Sequence, residues 1–84
     1  MEEFTVFRQF WLESERGWGQ RPDGYSLHLT DNDRKQYIEE YWQRMPDEVP
    51  DEYSRPEGSP ERIVVDESLY AQVKASKNGL RFWH

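Results

Sequence analysis

Between Phe4 and Leu12 the chain reads FTVFRQFWL, dense in aromatic and β-favouring residues. Read in alternation, the run places Phe4, Val6, Phe10 and Leu12 on one side and Thr5, Phe7, Gln9 and Trp11 on the other, which predicts a strand that is partly apolar on both faces and central in its sheet. The pattern stops from Glu13 to Gln20. Arg21-Pro22-Asp23-Gly24 then predicts a hairpin turn, because Pro presets φ, Asp suits the next position and Gly tolerates positive φ. Beyond it Tyr25, Leu27 and Leu29 alternate with Ser26, His28 and Thr30, the pattern of a half-buried strand.

Thr30 is placed to cap a helix, with Asp31 and Asp33 in its first turn, where carboxylates favour the positive end of the helix dipole. Tyr37, Ile38, Tyr41, Trp42 and Met45 recur at helical spacing and are expected to form its buried face, and Pro46 ends it. Residues 46–61 carry prolines, a glycine and the acidic side chains Asp47, Glu48, Asp51, Glu52 and Glu57, with no sustained period, and are expected to be an extended, negative loop. Ile63-Val64-Val65 predicts a third strand. Asp66 caps a second helix running to about Asn78, with Gly79 expected as its left-handed C-terminal residue. Leu80 to Trp83 resumes alternation as a last strand.

The predicted fold class is α+β: one small domain over residues 1–84, order β-β-α-β-α-β, a four-stranded sheet with two helices on one face. A chain of 84 residues buries only about 60% of the surface its unfolded form exposes, so its 13 aromatic residues supply much of the core.

Composition removes whole classes of function. The chain has no cysteine, which excludes a disulfide framework, a thiolate metal site and a cysteine nucleophile, and two histidines are too few for a histidine-rich metal cage. A net charge of −6 is the wrong sign for binding nucleic acid by phosphate neutralisation. No apolar run reaches the length of a membrane span, and Met1-Glu2-Glu3 lacks the features of a signal peptide, so a cytoplasmic protein is expected.

Catalytic spacings are missing as well. There is no GxSxG, no P-loop, no HExxH and no EF-hand loop. His28 is the one internal histidine and would need a nucleophile and an orienting carboxylate from elsewhere; the plainer expectation is a half-exposed strand histidine bonded to a neighbour. No catalytic residue, metal or cofactor is assigned.

The residues that stand out belong to recognition. Arg16-Gly17-Trp18-Gly19-Gln20-Arg21-Pro22-Asp23-Gly24-Tyr25 sets Trp18 between two glycines and groups it with Arg16, Arg21 and Tyr25, residue types enriched at binding hot spots. The alternative for Trp18 is burial in the core. Arginine outnumbers lysine 8 to 3, a bias toward stacking and forked contacts with carboxylate or phosphate. His28 and Arg81 complete the candidate binding set, although Arg8 and Arg81 have the simpler role of pairing with carboxylates or covering rings. The acidic segment is either a solvated connector or an electrostatic lure for a basic partner.

No characterised family has motifs matching GWGQRPDGYSLHLT or MPDEVPDEYSRPEG. In size and composition the chain resembles the short, acidic, cysteine-free accessory proteins of phages and prophages, which implies a cytoplasmic protein that disarms a component of a bacterial host, such as a defence system, by binding it. The expected function is therefore a non-enzymatic binding protein that blocks or sequesters a protein target through the Trp18/Arg21/Tyr25 hairpin, with or without the acidic loop. The alternative is a sequestering module for a nucleotide-derived small molecule, stacked on Trp18 or Tyr25, with phosphates on Arg16 and Arg21 and a homodimer to close the pocket.

Overall fold

In a computed structural model, residues 3–15, 19–46 and 52–83 are described. They form β1 (Phe4–Glu15), β2 (Gly19–His28), α1 (Asp31–Arg44), β3 (Glu52–Val65), α2 (Glu67–Ala75) and β4 (Leu80–Phe82). The order β-β-α-β-α-β is the one expected, and the four strands make one sheet in the spatial order β3-β1-β2-β4, each pair of neighbours antiparallel. Since β2 and β3 both run antiparallel to β1, they are parallel to each other, and α1 is the crossover between them. The helices begin where their caps predict: Thr30 Oγ1 accepts from the Asp33 amide at 3.1 Å and Asp66 Oδ1 from that of Leu69 at 2.7 Å. No helix of the described residues is long and apolar enough to cross a membrane.

The first difference from expectation concerns the faces. Leu27 and His28 are successive residues of β2 and both are buried, so both faces of the sheet are covered there. Leu27 packs with Val6 and with Val73 of α2, whereas the His28 ring meets Tyr37 of α1 with centroids 5.1 Å apart. The two helices therefore lie on opposite faces rather than together on one. Near-continuous burial of Ser26, Leu27 and His28 is the consequence.

The second concerns Arg21-Pro22-Asp23-Gly24, which is not the hairpin turn. Strands β1 and β2 pair from Phe7 with His28 out to Glu15 with Gly19, so the chain has already reversed before Arg21. Partners step from Phe10 with Tyr25 to Leu12 with Pro22, leaving Asp23 and Gly24 opposite Trp11 alone. This is a β-bulge, and Gly24, at φ 76°, is its left-handed residue. The same local chemistry serves a turn or a bulge.

The third concerns the acidic segment. Residues 52–60 are strand, not loop, and Ile63-Val64-Val65 is only the last part of β3, which pairs with β1 from Glu15 to Phe4. Pro56 and Pro60 are tolerated because β3 is an edge strand, and Gly58, at φ 75°, takes up the register shift between Arg8 and Phe10.

Two smaller corrections follow. No residue of α1 is fully buried and Trp42 is 40% exposed, so the predicted apolar face of α1 is only half covered. Helix α2 ends at Ala75, and the left-handed residue after it is Asn78, at φ 66°, not Gly79. Gly79 is required for another reason: a Cβ there would run into the His28 ring.

Candidate functional site

Alternation along β1 sends Gln9 and Trp11 toward α1, and the paired positions of β2 send Ser26 and His28 the same way. Four polar side chains are thereby committed to one interior face, and each must find a partner. Trp11 Nε1 donates to Ser26 Oγ at 2.8 Å, Ser26 Oγ lies 2.7 Å from His28 Nε2, and His28 Nδ1 lies 2.7 Å from the Asn78 carbonyl. A carbonyl can only accept, so Nδ1 carries the proton, Nε2 accepts, and the serine hydroxyl donates to it. The chain Trp11 to Ser26 to His28 to Asn78 thus has a single direction. Burial, followed by the Arg34 charge, holds the His28 pKa below its ordinary value against the Asn78 hydrogen bond and the carboxylates Asp33 and Asp31. Gln9 closes the other side, donating to the carbonyls of Glu57 and Gly58 at the β3 bulge and accepting from Arg34 Nη1 at 3.0 Å.

The bulge on β2 brings a carboxylate to this face. Asp23 accepts from the Ser54 hydroxyl and pairs with Arg81 Nη2 at 3.3 Å. Arg81, its side chain only 9% exposed, also donates to the carbonyls of Tyr25, Phe82 and Asp23. Its guanidinium lies over the rings of both Trp11, 5.0 Å from the ring centroid, and Trp83, 4.1 Å away. Burial, opposed by Asp23, lowers the Arg81 pKa.

Outside this buried layer the same face stays open beside the C-terminal half of α1. The opening is a cleft of about 380 Å³ walled by Trp11, Tyr37, Tyr41 and Trp83, with Arg44 and Arg81 as its cations. Tyr41 meets Trp11 edge-on at 5.0 Å, and its hydroxyl donates to the Ser54 carbonyl, which fixes the wall to β3. Trp83 is 71% exposed and forms the outer wall. Burial raises the Tyr37 pKa, with the Arg81 and Arg44 charges opposing, so its hydroxyl lies within the field of both guanidinium groups. A larger, more open depression runs along the outer side of α1 past Ile38 and Trp42.

Of the residues singled out from sequence, Arg81 reaches this cleft, but with both Nη1 and Nη2 already engaged. His28 lies beneath it, fully buried rather than half-exposed. Tyr25 is on the opposite face, stacked on Phe82 at 5.0 Å. Arg21 pairs with Glu13 on the α1 side, because the extra residue of the bulge reverses the alternation between positions 21 and 25. The structure therefore separates Arg21 from Tyr25. Glu57 is exposed on β3, 3.8 Å from Arg55, and Glu52 begins that strand. Arg16, Trp18, Asp47, Glu48 and Asp51 lie outside the described residues. Sequence reasoning missed Trp11, Tyr37, Tyr41, Arg44 and Trp83 as a group. The available signal was an aromatic on the second face of β1, which needs covering, together with tyrosines on the helix that follows β2.

No family model, no curated protein and no solved structure matches the chain.

Proposed function

We propose that the protein is a non-catalytic binding module that captures a small planar molecule in the cleft between α1 and the sheet. The observation that carries this reading is the cleft itself: an open space of about 380 Å³ with four aromatic walls, inside the size range of ligand sites, which is about 300–1,000 Å³. Aromatic walls favour a flat guest by offset or edge-on stacking. Among the described residues, the one arrangement that looks like a nucleophile and base, Ser26 with His28, is sealed, with 0% exposure at both residues and both ring nitrogens occupied. A substrate cannot reach it without opening the core. Capture without turnover is the function that fits, and the module would act by lowering the free concentration of its ligand.

Thermal unfolding with a panel of flat heterocycles and nucleotides tests the proposal. A ligand at 100 times its dissociation constant adds about 2.7 kcal/mol of stability. The expected outcome is a raised melting temperature in the native protein, lost in Trp83→Ala, whose exposed ring contributes little to folding. If no planar compound shifts the transition, or if Trp83→Ala responds equally, the cleft is not the site.

A second reading, a protein partner gripped through the β1–β2 ribbon, is favoured by Arg21, whose side chain is 64% exposed. The role of a cytoplasmic inhibitor of a host component belongs with this reading. Arg21→Ala should then fold normally and lose the partner.

A further inference from the structure

We infer that the ligand of the cleft carries an anionic group beside its ring, held by Arg44 and the Tyr37 hydroxyl, an inference that rests on the cleft being the binding site. The argument is a charge balance. Arg81 and Asp23 are paired at 3.3 Å, and the remaining Arg81 contacts are backbone carbonyls, so this pair is close to neutral toward the cleft. Arg44 is different. Among the described residues its side chain has no hydrogen bond or ion pair, yet it lines the cleft and acts on Tyr37.

The competing influence is the C-terminal end of α1, which presents about half a negative charge to its last turn. The Met45 amide already satisfies one of the carbonyls there, that of Trp42, at 3.2 Å. A full positive charge outweighs a partial negative one, so among the described residues that line the cleft the balance of charge is positive, in a protein whose net charge is −6. Tyr37 supplies a matching donor: its hydroxyl has no hydrogen-bond partner among the described residues. The Tyr41 hydroxyl and Ser54 Oγ are already committed as donors, to Ser54 O and Asp23 respectively. A guanidinium and a phenol over an aromatic floor select a planar ring with an adjacent carboxylate or phosphate, and repel a cationic ring.

Binding of matched pairs, followed by isothermal calorimetry, tests the inference and separates its two chemical forms: adenosine 5′-monophosphate against adenosine, and indole-3-acetate against indole-3-acetamide. The anionic member of at least one pair should bind about tenfold or more tighter than its neutral partner, as a charge-assisted contact provides. The preferred pair identifies phosphate or carboxylate. Arg44→Gln should erase that preference, and Tyr37→Phe should reduce it partly; circular dichroism checks that both variants fold. Equal binding within both pairs, or a preference that survives Arg44→Gln, overturns the anion site and leaves the aromatic cleft standing. Absence of binding by all four compounds, with inorganic phosphate also inert, overturns both.

Discussion

The two faces of the sheet are held by different physics. Under α2 the contact is apolar: Val6, Leu27 and Val73 are buried, and Ile63, Val65, Leu69 and Leu80 pack around them. Under α1 the buried side chains are Gln9, Trp11, Ser26 and His28, each tied to a named partner. The apolar face asks only for volume and shape. The polar face asks for direction, since a buried donor or acceptor left without its partner costs about 1–3 kcal/mol. That difference explains why the cleft opens on the α1 side. Large rings, of which Trp11 and Tyr41 are positioned by hydrogen bonds, leave space between them that a close-packed aliphatic layer would fill.

The largest expected effect comes from Trp11→Ala, which removes the ring shared by the buried chain and the cleft floor. A loss of about 3–5 kcal/mol is expected from denaturant midpoints, enough to leave so small a domain largely unfolded. Trp42 was expected to be buried and is not, so Trp42→Ala should cost much less; equal losses at the two tryptophans would break the distinction between a covered and an open side of α1.

Neighbouring residues of β2 compare the faces directly. Leu27→Met conserves volume on the apolar face and should cost less than about 1.5 kcal/mol. Ser26→Ala deletes a single oxygen, but strands Trp11 Nε1 and His28 Nε2 together, and should cost about 1–3 kcal/mol. If Leu27→Met is the more damaging, the α1 face is not governed by its hydrogen bonds.

Acid provides the most graded test. His28 has its folded pKa lowered by burial from an unfolded value of 6.5, so the unfolded chain binds the proton more readily. The contribution of neutral His28 is therefore complete above pH 6.5 and is lost as pH falls below that value toward the folded pKa. Stability measured downward from pH 7 should decline in this window in the native protein, and decline less in His28→Gln, which has no group to titrate. An identical slope in both would show that His28 does not set the acid sensitivity of this window; Asp31, whose pKa is lowered by its hydrogen bond to Arg34, acts only at lower pH, as pH falls through its unfolded value of 3.8.

Much of the architecture was readable because it is local. Thr30 and Asp66 are caps by their own chemistry, and the alternation of β1 and β2 follows from residue types alone. The Pro-Asp-Gly segment misled because a bulge and a turn both need a left-handed glycine, and only the pairing of Phe10 with Tyr25 and Leu12 with Pro22 tells them apart. Residues 52–60 misled because a proline-containing edge strand has weak preferences of its own. They are strand because β1 offers a long partner.

The candidate site was the least readable part. Its members include Trp11, Tyr37, Tyr41, Arg44, Arg81 and Trp83, which come from two strand regions and one helix. No short motif joins them, and Arg81 was the one member singled out beforehand. The sequence by itself determined the order of elements, the helix starts and the exclusion of cysteine chemistry, since each depends on single residues or near neighbours. Tertiary structure alone decided that the helices take opposite faces, that Arg21 and Tyr25 point apart, and that His28 is sealed. Each of these depends on strand register and on which groups a crossover covers, and a one-residue bulge reverses the facing of everything beyond it.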